Sequence, residues 1–318
     1  MARLVTIFGG SGFIGRHLVR ALADRGWRIR VAVRRPDLAG HLQPLGIVGQ
    51  VQAVQANIRN AASVARAVEG ADAVVNLVGI LAESGRQTFG AVQANGPRVV
   101  AEAAAKAGIA NLVHLSAIGA DKNAASDYAA SKGYGEAGVL GAVPTAVILR
   151  PSIVFGPEDR FFNRFASMAR FSPVLPLIGA DTHFQPVYVG DVARAIVAAL
   201  EGRAKPGTVY ELGGPQAASF RTLLDYVLKE TGRTRLPVAV PFWLAKLQAS
   251  FLQVLPGAPL TVDQVTMLES DNVVSPAAKA EGRTLEGLGI VPTAIESIVP
   301  GYIYRFREKG QFEKTHTA

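Results

Sequence analysis

The fold is decided by Leu4-Val-Thr-Ile-Phe-Gly-Gly-Ser-Gly-Phe-Ile-Gly15, where an apolar run leads directly into evenly spaced glycines. The apolar run predicts a buried strand, and the glycines predict a tight turn. The segment Arg16 to Gly26 follows, with Leu18, Val19 and Leu22 on one side, as in an amphipathic helix. This part of the chain therefore predicts a strand, a glycine turn and a helix in immediate succession.

A glycine turn between a strand and a helix suits the pyrophosphate of a dinucleotide. Backbone N–H groups and the positive end of the helix face the phosphates, and bulky side chains at the glycines would block that approach. An ordinary glycine-rich turn is the alternative. We expect the cofactor contacts of this segment at Gly9, Ser11, Gly12, Phe13, Ile14 and Gly15.

The composition excludes several kinds of site. The chain has 318 residues, of which 49% are hydrophobic, enough for one large domain or two linked ones. Because it has no cysteine, it can form no disulfide, thiolate metal site or cysteine nucleophile. Its five histidines show no metal-ligand spacing, so no metal site is expected.

The net charge of +8 favours an acidic partner, an anionic membrane surface or a phosphorylated ligand, although it could equally serve solubility. No basic run is interleaved with aromatic residues, so nucleic acid is not expected. Because the first strand begins within four residues of Met1, no signal or transit peptide is expected, unless the chain is a processed form. No charge-free apolar stretch reaches the ~18 residues of a transmembrane helix.

Strand-like and helix-like segments alternate through the first half of the chain. Strands are predicted at residues 4–8, 28–33, 51–56, 73–78, 111–116 and 145–149. Helices are predicted at residues 16–26, 61–68, 87–107 and 128–140. This alternation predicts an α/β fold, a doubly wound parallel Rossmann sheet.

The pattern changes after Pro151, where proline and aromatic residues become frequent. We expect residues 1–156, joined by about 181–215, to form the dinucleotide-binding domain. The segment at about 181–215, where the chain returns to this domain, is predicted to contain a strand at 184–189, a helix at 191–200 and a strand at 209–212. Residues 157–180 and 216–318 are expected to form a smaller C-terminal α/β lobe for substrate or partner contacts.

The end of the second strand indicates NADP(H). NAD-binding versions of this fold place an acidic residue there for the ribose 2′-hydroxyl, but here Arg34 and Arg35 precede Asp37. A guanidinium fork suits a 2′-phosphate, whereas two solvated arginines are the alternative. Further contacts are expected after the third strand, at Asn57 and Ile58 near the adenine, and after the fourth, at Leu77, Val78 and Gly79 near the inner ribose.

A set of residues that could act in catalysis follows the fifth strand. Ser116 ends that strand, and Tyr128 and Lys132 share one face of the next helix. A lysine ammonium can lower the pKa of a phenol, and a serine hydroxyl can hydrogen-bond the oxygen of a reacting carbonyl. The alternative is that Tyr128 and Lys132 only hold the nicotinamide ribose.

These motifs together resemble the short-chain dehydrogenase/reductase superfamily, in its extended or atypical branch. The resemblance covers essentially the whole chain. Its remaining motifs are Asn76-Leu-Val-Gly79 and Arg150-Pro-Ser-Ile-Val-Phe-Gly-Pro157, and it implies cofactor contacts at Pro151 and Ile153. Sugar-nucleotide epimerases and dehydratases usually carry asparagine and tyrosine where Ile153 and Phe155 stand, which argues against sugar-nucleotide chemistry.

Within this superfamily, the chain is most similar to the NADPH-binding accessory subunits of respiratory complex I and their bacterial relatives. Three stretches carry this similarity: residues 150–163, 184–193 and 260–274. It implies a structural or assembly subunit that holds NADP(H) non-covalently and is not the entry point for electrons. It also implies a peripheral location on the cytoplasmic face of a bacterial inner membrane, or on the matrix side if the protein is mitochondrial.

Partners of such a subunit are other subunits of the membrane complex, contacted through the distal lobe, with an anionic lipid surface nearby. Two alternatives stay open. The complete set Ser116, Tyr128 and Lys132 fits a soluble NADP-dependent reductase, epimerase or dehydratase, and the same fold fits a regulator that senses NADPH.

The distal lobe contains an apolar stripe at 236–255, in which Trp243, Leu247 and Phe251 recur at helical spacing. A buried lobe helix and a contact surface for a partner or membrane are both consistent with it.

Overall fold

The computed structural model describes residues 2–253 and 260–312. Its strands, numbered in chain order, are β1 (Leu4–Phe8), β2 (Arg28–Val33), β3 (Val51–Gln55), β4 (Ala73–Asn76), β5 (Leu112–Leu115), β6 (Val147–Pro151), β7 (Val154–Phe155), β8 (Val174–Ile178), β9 (His183–Phe184), β10 (Val187–Tyr188), β11 (Val209–Leu212), β12 (Ala218–Ser219) and β13 (Leu236–Val240). Its α helices are α1 (Phe13–Ala23), α2 (Ala61–Val68), α3 (Asn95–Lys106), α4 (Asp127–Ala142), α5 (Phe162–Phe171), α6 (Val189–Leu200), α7 (Phe220–Thr231), α8 (Phe242–Leu252), α9 (Val262–Met267), α10 (Pro276–Ala280), α11 (Ile295–Ile298) and α12 (Pro300–Ile303). Short 3₁₀ helices lie at Pro36–Leu45, Glu286–Leu288, Tyr304–Phe306 and Gly310–Phe312, and a π helix lies at Gly90–Ala94.

Seven strands form one parallel sheet in the order β11-β6-β5-β4-β1-β2-β3. The predicted α/β class and doubly wound parallel sheet are confirmed. The strand order reverses at β1, which pairs with both β2 and β4. In open sheets of this type, ligands bind at the carboxyl ends of the strands beside such a reversal.

Burial explains why the first strand and helix form, although the helix predicted at 16–26 begins and ends three residues earlier, at Phe13–Ala23. Val5 and Ile7 of β1 are completely buried in the sheet. Leu18, Val19 and Leu22 of α1 are also completely buried, so the apolar side of this helix covers the sheet. Burying such side chains stabilises the unit by roughly 1.5–3 kcal/mol each.

The helix predicted at 87–107 forms from Phe89 to Lys106, but its first turns are not α-helical. The chain passes through the π helix Gly90–Ala94 and becomes α3 at Asn95. The wider turn accommodates a close helix contact, since a Cβ atom at Gly135 of α4 would lie only 2.2 Å from the carbonyl oxygen of Gln93. Alanine-rich periodicity could not reveal this contact.

The backbone divides into two compact units. The first contains residues up to Pro151, Val189–Leu212 and Val274–Val291, and the second contains Ser152–Tyr188, Gly213–Val273 and residues from Pro292 onward. The first unit carries the seven-stranded sheet. In the second, a cluster of aromatic rings from β7, α5, β9 and α7 forms the core: Phe155, Phe161, Phe162, Phe184 and Phe220.

The boundaries of the two units differ from the expected ones, because segments far apart in the sequence form hydrogen bonds with each other. Residues 274–291 were expected in the distal lobe but lie in the first unit, because Ser275 N donates to Glu211 Oε2 at 2.7 Å and Glu211 N donates to Arg283 O at 2.9 Å. Residues 152–156 and 181–188 were expected with the sheet but lie in the second unit. There, Asn272 N donates to the carbonyl oxygen of His183 at 2.8 Å.

Helix α8 presents large apolar side chains to solvent. Trp243, Leu247 and Phe251 are 69%, 52% and 73% exposed, whereas Ala245 and Ala249 on the opposite side are buried. Leu255, the last residue of the predicted stripe, lies outside the described residues. Within the part of the chain that is described, no helix is both long and apolar enough to cross a membrane.

Candidate functional site

The glycine turn brings the backbone of three segments together. Gly9 has φ of +79°, and a Cβ atom there would lie 3.3 Å from the backbone of Leu77. A Cβ atom at Gly15 would lie only 2.4 Å from the carbonyl oxygen of Gly10. The turn therefore requires glycine at Gly9 for its conformation, and at Gly15 for the close approach of α1.

The start of α1 is open to an anion. Gly12 is the N-cap, no described side chain caps it, and the first turn contains no acidic residue. The free N–H groups and the helix dipole of this turn favour a negatively charged ligand. The neighbouring Ser11, Phe13 and Ile14 are half-buried beside it, and the Phe13 ring packs edge-on against His17.

The two arginines after β2 have different environments. Arg34 is exposed, and its Nη1 donates to the neutral Gln87 Oε1 at 2.6 Å. Arg35 instead forms a two-point ion pair with Asp37, with Nη2–Oδ2 at 2.7 Å and Nε–Oδ1 at 3.1 Å. The hydrogen bonds and charge of Asp37 raise the pKa of Arg35. The fork of Arg35 is therefore already occupied, whereas no carboxylate of the described residues pairs with Arg34.

The residues after β3 and β4 lie at the same end of the sheet. Asn57 is half-buried and its Oδ1 accepts from Arg59 N at 3.1 Å, while the Ile58 side chain is buried in the core below. Leu77 and Val78 are half-buried beside the glycine turn. Gly79 is exposed, and a Cβ atom there would lie 3.4 Å from Lys132 Nζ.

Helix α4 positions the tyrosine and lysine on one face. Ser126 caps the helix by accepting from Ala129 N at 3.3 Å. Lys132 Nζ lies 5.8 Å from the centroid of the Tyr128 ring and donates to the carbonyl oxygen of Leu115 at 3.3 Å. Burial lowers the pKa of Lys132 to about 8, although the carboxylate of Glu136 opposes the shift. The ammonium is thus buried beside the half-buried phenol, as an acid–base set needs.

The Ser116 hydroxyl is buried and has no hydrogen-bond partner among the described residues. Buried polar atoms are usually bonded, so an orphaned hydroxyl at a strand end indicates room for a ligand oxygen. The next buried polar group on the same face of this segment is His114, whose Nδ1 lies 3.2 Å from Asn76 Nδ2. Burial and then the nearby Lys132 charge lower the pKa of His114 to about 3.

Sequence reasoning missed His114, Gln93 and Glu136 as neighbours of this site, whereas Asn76 was part of the predicted motif Asn76-Leu-Val-Gly79. Gln93 Oε1 accepts from Ile80 N at 3.1 Å, and Gln93 Nε2 donates to Ser131 Oγ at 3.1 Å. Glu136 holds Arg150 through two bonds of 2.8 and 2.6 Å. The two-residue spacing of His114 and Ser116 was the available signal, because it places both on one face of the strand.

Two expected contacts lie in different units. Pro151 is buried at the end of β6, where its carbonyl oxygen accepts from Ile118 N at 3.1 Å. Ile153 belongs to the second unit and packs against its aromatic core. Across the described residues, no group of three or more histidine and acidic side chains is arranged to hold a metal ion.

The parallel sheet, the glycine turn and the open helix start together define an α/β protein of the dinucleotide-binding class. Residues 5–213 match the profile of the NAD dependent epimerase/dehydratase family. The chain belongs to this family.

Known proteins extend the similarity beyond that profile. The chain is 33% identical over 297 residues to NADH dehydrogenase [ubiquinone] 1 alpha subcomplex subunit 9 of mouse mitochondria, covering 92% of this chain and 78% of that protein. It is 36% identical to ceramide reductase of Caulobacter vibrioides, covering 61% of this chain and 60% of that protein. The structure of an NADPH-dependent quinone oxidoreductase from Escherichia coli has the same fold, with a TM-score of 0.74 and 19% identity over 94% of this chain and 99% of that one.

Proposed function

We propose that this chain is an NADP(H)-binding accessory subunit of a respiratory NADH:quinone oxidoreductase, complex I. One observation carries the assignment to a respiratory complex. The match to the mitochondrial subunit covers 92% of the chain, whereas the family profile ends at residue 213. The alignment with a protein named as a subunit of NADH dehydrogenase therefore includes most of the distal residues.

The residues of the first unit fit a bound dinucleotide. The glycine turn leaves space that a Cβ atom would fill, and the start of α1 offers free N–H groups to a pyrophosphate. Arg34 supplies positive charge at the strand end where a 2′-phosphate is expected, the buried Lys132 is available to the nicotinamide ribose, and the orphaned Ser116 hydroxyl is available to a reacting oxygen. A bound nicotinamide could accept or donate a hydride.

In this proposal, the nucleotide acts as a ligand of the folded state and is not the entry point for electrons. A ligand that binds only the folded chain stabilises it by about 4 kcal/mol when its free concentration is 1,000 times its Kd. The subunit lies peripherally on the cytoplasmic face of a bacterial inner membrane, or on the matrix side if the protein is mitochondrial. Other subunits contact it through the distal unit.

Native purification from membranes tests the assignment. We expect the chain to migrate with respiratory subunits and to release NADP(H) on denaturation. Gly12→Val should obstruct the pyrophosphate and remove the subunit from the complex, whereas Tyr128→Phe, which deletes only the hydroxyl, should leave assembly and respiratory turnover nearly intact. Migration as a free protein, or release of NAD(H), would contradict the proposal.

A second candidate is an NADP-dependent carbonyl reductase, favoured by the environment of Lys132. Its buried ammonium lies 5.8 Å from the Tyr128 ring centroid, and the Ser116 hydroxyl has no partner among the described residues. In this reading, Ser116 donates a hydrogen bond to a substrate carbonyl, Tyr128 transfers the proton, and Lys132 stabilises the phenolate. The similarity to a ceramide reductase makes a long-chain ketone a reasonable first substrate to assay.

The two candidates differ in their response to Tyr128→Phe. A reductase should lose about 10²–10⁴-fold in kcat with this change while keeping NADPH affinity. An accessory subunit should show no ketone-dependent NADPH oxidation in either the wild-type or the variant protein. Turnover by purified wild-type protein, abolished in the variant, would support the second candidate.

A further inference from the structure

Charged side chains of alternating sign lead from the buried lysine of the site to the edge of the seven-stranded sheet. Glu136 follows Lys132 by one turn of α4, and both residues are only 5% exposed. Arg150 of β6 donates two bonds to Glu136, from Nε to Oε1 at 2.8 Å and from Nη2 to Oε2 at 2.6 Å. Its Nη1 also lies 4.0 Å from Oε1 of Glu211 in the edge strand β11. The site is therefore connected to the sheet edge through a buried charged pair.

The sheet places Arg150 beside the candidate site. Ile148 is opposite His114 in the ladder between β6 and β5. Because side chains alternate along a strand, Arg150 lies on the same face as Ile148, two positions further on and level with Ser116. This is the face that α4 covers, since Glu136 of α4 reaches the Arg150 guanidinium.

The charged pair leaves the ammonium of Lys132 available to a ligand. Lys132 Nζ donates to the carbonyl oxygen of Leu115 at 3.3 Å, and an ammonium has three donors. The charge of Glu136 raises the pKa of Lys132 against the effect of burial, but Arg150 holds both oxygens of this carboxylate. Without Arg150, Glu136 would be an unpaired buried carboxylate one turn from an ammonium, so the two should pair directly. That pairing would occupy N–H donors that a ligand needs.

We propose that Glu136 and Arg150 are positioning residues, which keep the Lys132 ammonium charged but free of a direct carboxylate partner, and so available to the nicotinamide ribose. The inference rests on the proposed binding of a dinucleotide and adds two residues that act through Lys132. A pair that served the fold alone would add little, because a buried ion pair contributes weakly to stability.

Other charged and titratable groups also face this pair. His114 of β5 and Tyr128 of α4 lie near Lys132, and the charge of Asp121 acts on Arg150. All three stay unchanged in the variants that test the proposal.

The titration of Lys132 in nucleotide-free protein tests the pair. It can be followed by NMR of lysine labelled with ¹³C at Cε, with Lys132→Met to assign the signal. We expect a pKa of about 8 for Lys132 in the wild-type protein. Arg150→Gln should raise this pKa by about one pH unit, because the released carboxylate pairs with the ammonium, and Glu136→Gln should lower it by a similar amount. Loss of packing alone would not shift the pKa in opposite directions.

A double variant keeps the test decisive if a single variant unfolds. Glu136→Gln combined with Arg150→Gln leaves neither ion of the pair unpartnered, and Lys132 should titrate below the wild-type pKa, as in Glu136→Gln alone. Glu211→Gln is the matched control, since it removes the other carboxylate near Arg150 and should leave the pKa of Lys132 unchanged. Shifts of the same sign in the two single variants, or an unmoved pKa in the folded double variant, would overturn the proposal.

NADPH affinity separates this role from the function on which it rests. Arg150→Gln should raise the Kd for NADPH about tenfold at pH 7, as for loss of a charge-assisted hydrogen bond. If wild-type protein binds NADPH and Arg150→Gln leaves its Kd unchanged, the positioning role is overturned and dinucleotide binding stands. If wild-type protein binds no NADPH while the two pKa shifts are opposite, the pair acts on Lys132 as proposed and the dinucleotide function is rejected.

Discussion

At the scale of single residues, Lys132 shows how burial sets the chemistry of the site. Its side chain is almost completely inaccessible, and its described polar contact is a backbone carbonyl at 3.3 Å. Desolvation penalises the ammonium, while Glu136 only partly offsets the penalty. The lysine of a Tyr-x3-Lys pattern is recognisable in a sequence, but its burial depends on the packing of α4 against the sheet.

The lowered pKa of Lys132 predicts that stability rises with pH. Its pKa falls from 10.5 in the unfolded chain to about 8 in the folded one. Between these values the unfolded state binds more protons, so folding is favoured as pH rises, by about 3 kcal/mol at most. In urea unfolding of nucleotide-free protein from pH 7 to 10, Lys132→Met should remove this rise. The control Lys122→Met, at an exposed lysine, should retain it; the same pH slope in both variants would contradict the assignment.

His114 predicts loss of stability in acid. Burial and the Lys132 charge lower its pKa from 6.5 to about 3, so the unfolded state binds more protons between these values. Stability from neutral His114 is present above pH 6.5 and is lost as pH falls toward 3. His114→Gln should unfold less steeply with acid over this window, by a few kcal/mol. His41→Gln, at an exposed histidine, serves as the control and should follow the wild-type curve.

At the scale of elements, apolar patterning predicts the sheet well. Strands β1 to β6 lie within about two residues of their predicted positions, because each is an apolar run that the sheet buries. Candidate site residues could be predicted where they directly follow a strand, as Leu77 follows β4 and Ser116 follows β5. The Arg35–Asp37 pair and the bond from Arg59 to the Arg86 carbonyl oxygen could not, because they depend on how loops fold back.

The contact between α1 and the glycine turn predicts a large effect of one methyl group. Gly15→Ala would place a Cβ atom 2.4 Å from the carbonyl oxygen of Gly10, so the helix must shift. Overpacking of this kind costs about 1–3 kcal/mol, and the shift should also weaken nucleotide binding. Gly141→Ala is the matched control, since its Cβ atom would meet nothing within 4 Å and alanine favours a helix by up to ~1 kcal/mol. Thermal unfolding with and without NADPH measures both effects, and similar Tm values for both variants would reject this account.

At the scale of the whole molecule, the two units differ in how well their boundaries could be predicted from the sequence. The first unit follows from alternating strands and helices. The second could not be bounded from sequence, because its limits depend on bonds between residues far apart, such as the pairing of Phe184 with Asn272. Nor could the sequence decide whether the α8 stripe is buried, since periodicity indicates a helix face but not what covers it.

The exposed face of α8 predicts where the chain would dock in the proposed respiratory complex. Trp243 and Phe251 are 69% and 73% exposed, so replacing both with serine should change the free energy of unfolding by less than about 1 kcal/mol. The same change should separate the chain from the proposed membrane complex, since large aromatic side chains dominate interface energies. The measurements are the Tm, NADPH affinity and the fraction that co-purifies with respiratory subunits.

A control variant in the first unit distinguishes the loss of a docking surface from a general loss of exposed apolar surface. Ile47 and Val48 are 78% and 104% exposed, so their double serine variant removes comparable exposed apolar groups away from α8. It should co-purify like wild type, whereas the Trp243/Phe251 variant should stay folded, bind NADPH and fail to co-purify. If the α8 variant co-purifies normally, the docking surface lies elsewhere. If it unfolds instead, the aromatic side chains support the distal unit itself, and their exposure cannot be taken as a contact surface.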